Sequence, residues 1–147
     1  MQGGAERSSV GGFVADSSLA VAWVVKSQAS PDTERLLDNV ESGHVFAVPV
    51  LWAFEVANGL LTLKRRKRIT AQERDQAHIE LSTLNPLYDE DGPHLALGRI
   101  TELAEKHSLT VYDATYLELA VRRGLPIASR DAALNQAAHR AGVETLL

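Results

Sequence analysis

Short, wholly apolar runs along this chain alternate with longer stretches in which apolar residues recur three and four positions apart. The first run, Phe13-Val14-Ala15, ends on Asp16 and reads as a buried strand. Leu19–Val25 follows as a helix capped by Ser17 or Ser18. Ser30-Pro31, with acids just behind it, starts a second helix to about Glu41 that buries Leu36, Leu37 and Val40 and stops at Gly43. Val45–Val48 is a second strand. Pro49 opens a helix through Leu63 with Leu51, Trp52, Leu60 and Leu63 on its apolar face, and Thr70 caps another from about Ala71 to Thr83. These last two helices form an antiparallel hairpin.

Leu84–Tyr88 is a weaker third strand, Asp89–Gly92 a turn, and Pro93–His107 a helix carrying Leu95, Leu97, Ile100, Leu103 and Ala104. A helix from Val111 repeats Ala114, Leu117, Ala120 and Val121 at buried spacing before Gly124 and Pro126 end it. Pro126–Ser129 is a strand, Asp131 begins a helix ending near Gly142, and Val143–Leu147 is a closing strand. Strands alternating with helices predict an α/β fold: three layers, α/β/α, with a central, mainly parallel sheet and a protruding helical hairpin. One domain is expected over residues 13–147. Residues 1–12, polar and rich in Gly and Ser, are set aside as a disordered leader or an expression remnant.

A chain of 147 residues suits one domain with a substantial core. With no cysteine, disulfides and thiolate metal sites are excluded, and a reducing cytoplasm is compatible. No apolar run reaches the roughly 18–20 residues of a membrane span. The net charge of −4 argues against a uniformly basic nucleic-acid binder. It leaves room for an enzyme that gathers carboxylates at its site and cations around the rim. The five histidines, scattered without paired spacing, give no zinc motif. Gly11-Gly12 precedes the first strand and is no phosphate loop. Trp23 and Trp52 fall on apolar helix faces, as core or as dimer and partner surface, with base stacking the lesser reading.

The carboxylates carry the chemistry. Asp113 sits on the buried stripe of its helix, where an unpaired charge costs several kcal/mol or more; Thr110 as cap and the helix dipole would return only about 0.3–1 kcal/mol. Ligands of open parallel sheets bind beyond the carboxyl ends of the strands. Asp16 ends the first strand, Asp131 follows the Pro126–Ser129 strand, and Glu55 and Asp113 lie in first turns of helices at that same edge. Singly, Asp16 and Asp131 also read as helix caps, and Glu55 as a semi-exposed helix residue. Four together repel one another, which a hard divalent cation such as Mg²⁺ relieves.

The segments FVADSSLAVAW, FEVANGL, VYDATYLELA and ASRD resemble, in order and approximate spacing, a PIN-domain ribonuclease of the VapC toxin type, and the resemblance covers residues 13–147. VYDATYLELA is the most specific of the four. The resemblance implies a PIN-like fold and an acidic quartet of Asp16, Glu55, Asp113 and Asp131 that binds Mg²⁺ or Mn²⁺. It implies endonucleolytic RNA cleavage leaving a 5′-phosphate and a 3′-hydroxyl, with metal-activated water as nucleophile. Ser17, Asn58 and Ser129 match auxiliary polar positions, although the family's usual Thr-x-Asp is here Ser129-Arg130-Asp131. A cognate antitoxin, a homodimer and a cytoplasmic location are implied as well.

The basic run Lys64, Arg65, Arg66, Lys67 and Arg68 is either a solvated helix end or a rim that grips RNA phosphates. Tyr112 and Tyr116 flank Asp113, and Tyr116 is expected to pack beside the site. Two other functions compete: a catalytically inert PIN-like module that binds RNA or protein, and phosphotransfer through an aspartyl intermediate on Asp16. The latter usually wants a second acid two residues on, where this chain has Ser18.

Overall fold

A computed structural model describes residues 12–147; the leader assigned to residues 1–12 lies, but for Gly12, outside them. The sheet has four parallel strands in the order β3-β2-β1-β4, with β1 Phe13–Ala15, β2 Phe46–Pro49, β3 Leu87–Asp89 and β4 Ile127–Ala128. Register sets Phe13 beside Phe46, Val14 beside Ile127, and Val48 beside Tyr88. The two central strands are buried on both faces, which is why they read as unbroken apolar runs. Val143–Leu147 does not form a full strand. Thr145 makes a single bridge to Ile127.

Eight α-helices connect the strands among the described residues: α1 Ser17–Val24, α2 Pro31–Glu41, α3 Trp52–Arg65, α4 Ala71–Ser82, α5 Gly92–Leu95, α6 Thr101–His107, α7 Val111–Arg123 and α8 Ala132–Arg140. Capping boxes at Ser30 and Thr70 start α2 and α4 as the sequence predicts. Two boundaries move. Asp16 rather than a serine caps α1, and Pro49 closes β2, so that α3 starts at Trp52. The helix expected over Pro93–His107 is broken by a π-helical turn, Ala96–Ile100, with Gly98 at its centre.

Helices α1 to α4 form one layer, and α7, flanked by α6 and α8, crosses β1 and β2 in the other. Phe46 anchors the core, stacked on Phe13 and edge-on to Trp23 and Trp52 at 5.4 and 6.0 Å. Trp52 is buried and Trp23 donates its indole N–H to Thr33 O at 2.9 Å, so both tryptophans belong to the core side of their helices. Because every strand is parallel, all four carboxyl ends open onto one edge of the sheet.

Candidate active site

At that edge Asp16 stands between β1 and α1, only 6% exposed. Its Oδ1 accepts from Ser17 N at 2.8 Å, and its Oδ2 accepts from the hydroxyls of Ser18 at 3.0 Å and Ser129 at 2.7 Å. Both serines also hold the segment after β4: Ser129 Oγ accepts from Asp131 N at 3.0 Å, and Ser18 Oγ from Arg130 N at 3.1 Å. Burial pushes the Asp16 carboxyl above its ordinary range; the hydroxyls and the Ser17 N–H pull it back, and the Asp131 charge pushes it further up.

Glu55 lies in the first turn of α3, half-buried, and its Oε1 accepts from the Tyr116 hydroxyl at 2.7 Å. Burial raises the Glu55 carboxyl, the Tyr116 bond opposes this, and the charges of Asp16 and Asp113 reinforce it. The Tyr116 phenol, fully buried, is itself held far above its usual range by burial and by Glu55. Asp113 lies in the first turn of α7, where its N–H reaches the capping Thr110 hydroxyl at 3.0 Å. Its carboxyl is raised by burial first, then by the charges of Asp131 and Asp16. Asp131 caps α8, accepting from Leu134 N at 2.9 Å, and is exposed.

The four acids predicted from sequence thus share one edge and act on one another's charge. Among the described residues none of them has an ion-pair partner. They are not closed into a ready coordination shell either, since no three acidic or imidazole side chains among the described residues are gathered tightly enough for that. Of the auxiliary positions, Ser129 binds Asp16 directly, and Ser17 and Glu55 line the same groove. Asn58 is exposed one turn beyond Glu55, with no hydrogen bond to the acids. Lys64–Arg68 closes α3 and forms the exposed turn into α4, about 14 Å along the helix from Glu55.

A second acidic group behaves oppositely. Glu118 and Asp89, 0% and 1% exposed, are bridged by the Arg122 guanidinium, whose bonds to them run from 2.8 to 2.9 Å. Arg123 and Arg99 add contacts at 3.3 and 3.5 Å. Burial beside arginine is how this fold neutralises structural carboxylates, and the Arg122 pair holds Asp89 below the ordinary carboxylate range. The quartet is left without that treatment.

Sequence reasoning missed three features here. The Glu118–Arg122 spacing of four on one helix was a readable signal. The Ser18 hydroxyl on Asp16, two residues on at a helix start, was readable as local cap geometry. The Tyr116 bond to Glu55 had no signal, because it joins elements whose distance only the fold sets.

Comparison with known proteins agrees with this fold. A family model described as PIN domain matches residues 13–140. Ribonuclease VapC3 of Pyrobaculum aerophilum is 31% identical over 112 residues, which is 76% of this chain and 83% of that protein. The crystal structure of PAE2754 from Pyrobaculum aerophilum shares the fold with a TM-score of 0.65 at 20% identity, covering 93% of this chain and 85% of that one. A toxin-antitoxin complex from Klebsiella pneumoniae does so with a TM-score of 0.59 at 18% identity, covering 92% and 98%.

Proposed function

The chain belongs to the PIN-domain family, and on that footing we propose that it is a VapC-type, divalent-metal-dependent endoribonuclease, the toxin of a toxin–antitoxin pair. One observation carries the metal dependence: a group of mutually repelling carboxylates at the sheet's functional edge has no cation against it among the described residues, in a fold that pairs its other buried acids with arginine. The donor set is all oxygen, with no imidazole or thiolate, which suits Mg²⁺ or Mn²⁺.

Asp16, Glu55 and Asp113 would hold the ion, with Asp131 contributing directly or through water. Ser18 and Ser129 orient Asp16, and Tyr116 orients Glu55. When bound, the ion supplies an activated water and charge stabilisation at the phosphodiester, so no side-chain nucleophile is required. Ser18 occupies the position where an aspartyl-phosphate enzyme would place its second acid, and it is bound to Asp16, which disfavours that chemistry.

The likeness to a toxin-antitoxin complex supports an antitoxin partner, and the same family reading gives a homodimer acting in the cytoplasm. No helix among the described residues is long and apolar enough to cross a membrane. The test is cleavage of a structured-RNA pool with Mg²⁺ or Mn²⁺ against EDTA. Discrete metal-dependent products that vanish in Asp113→Asn are expected. Cleavage that persists in EDTA or in the variant overturns the reading, and absence of both cleavage and Mn²⁺ binding makes the chain an inert module. A monomeric mass by light scattering at micromolar concentration contradicts the dimer.

A further inference from the structure

The geometry points to a subsite for one unpaired nucleotide in the groove between α1 and α3, with Arg130 as its phosphate contact; the inference rests on the ribonuclease reading above. The groove, about 290 Å³, begins at Ser17 and Glu55, beside the acids. Val21, Gly59 and Leu63 give it apolar wall, and Ser18, Gln28 and Thr62 give it hydroxyl and amide groups. That mixture suits a nucleobase, which has an apolar face and a polar edge. At Gly59 an added Cβ would sit 3.4 Å from Val21 Cγ2, about an ordinary van der Waals contact, so α1 and α3 pack closely beneath the groove.

Arg130 stands at the groove's mouth. Its backbone N–H donates to Ser18 Oγ at 3.1 Å, and its Nη1 donates to Gln28 Oε1 at 3.2 Å. Although Asp131 follows it in the chain and Asp16 shares the Ser18 hydroxyl, Arg130 pairs with no carboxylate among the described residues. A guanidinium has five N–H donors in a planar fork that matches phosphate. Here the side chain is exposed and one of those donors is recorded as engaged within the protein. Arg122, by contrast, is taken up by Glu118 and Asp89. Gln28 orients Arg130 through its carbonyl and keeps its amide N–H pair for the nucleotide.

A strand seated this way has its reactive phosphate at the acids and a neighbouring phosphate on Arg130. Further along, α3 delivers it to the cations at Lys64–Arg68, one turn past Thr62. A base seated among these residues has to be unstacked and unpaired, so the subsite selects unpaired RNA.

The test measures binding of a short labelled single-stranded RNA in Ca²⁺, across a salt titration, with a duplex of the same sequence as competitor. Arg130→Ala is expected to weaken binding about tenfold and to reduce the salt slope by about 0.7, one phosphate contact on a single strand. Arg130→Lys should recover part of the affinity, and in Mg²⁺ the alanine variant should raise KM more than it lowers kcat. Unchanged affinity and slope in Arg130→Ala, while the wild type still cuts RNA, overturns the subsite and leaves the nuclease standing. Duplex binding as tight as single-strand binding also overturns it. A wild type that neither binds nor cuts RNA brings down the parent reading, and this one with it.

Discussion

At the scale of single residues, Asp16 shows how the site is built. Its charge is buried, held by three hydrogen-bond donors and opposed by none of the described cations. Removing an oriented outer hydroxyl typically costs ten- to a hundredfold in metal affinity. Ser129→Ala is therefore expected to weaken Mn²⁺ binding by about tenfold in calorimetry, with the far-UV spectrum unchanged. Asp113 carries a second prediction. A carboxyl whose pKa is raised in the folded chain binds a proton more readily there than when unfolded, so it weakens the metal-free fold as pH rises through that raised value. Asp113→Asn removes this penalty. Without metal and near neutral pH, the variant should melt a few degrees above the wild type, and the gap should close as pH falls toward ordinary carboxyl values. A variant that melts lower at neutral pH, or a gap that widens on acidification, contradicts the assignment. The acids themselves were legible in the sequence because each sits where a strand ends or a helix starts. Arg130 was not, since its meaning depends on Gln28 and Ser18, about a hundred residues earlier.

At the scale of elements, α7 joins site to scaffold. Every residue from Ala114 to Ala120 is buried, so this helix has no solvent face over that stretch, and its first turn places Asp113 while Tyr116 reaches Glu55. Its last turns hold the Glu118–Arg122–Asp89 network, which ties α7 to the end of β3. Breaking a buried pair by removing one partner costs about 3–5 kcal/mol. Arg122→Met should lose stability on that order in urea unfolding, because two carboxylates would stay buried without their cation. A loss under 1 kcal/mol would mean that Arg123 and Arg99 take over. The helix's existence and caps were readable from Thr110, the apolar repeat and Gly124, whose φ of 65° suits glycine. The π turn at Ala96–Ile100 was not, because the apolar spacing of Leu95, Leu97 and Ile100 is equally that of an ordinary helix. There Thr101 Oγ1 bonds back to Ala96 O at 2.7 Å, a link across five residues that no hydropathy pattern encodes.

At the scale of the whole molecule, a chain of net charge −4 with the proposed ribonuclease activity binds its polyanion through local distribution rather than total charge. Cations at the α3–α4 turn stand apart from the acids, and Arg130, paired with none of them, stands at the groove's mouth on Ser18 and Gln28. Replacing Arg65, Arg66 and Lys67 together by alanine should weaken RNA binding and flatten its salt dependence; an unchanged slope in a salt titration would make the turn a solvated helix end. The layered fold was legible because strand and helix periods alternate cleanly. Which acids would be neutralised by arginine and which left bare was not, and on the proposed reading that division separates scaffold from site. The most direct measurement is therefore a calorimetric titration of Mn²⁺ into wild type, Asp16→Asn and Asp113→Asn. Saturable binding in the wild type, lost in both variants, is the predicted result. No binding by the wild type, or equal binding by all three, would contradict the assignment of the bare carboxylates as the metal centre.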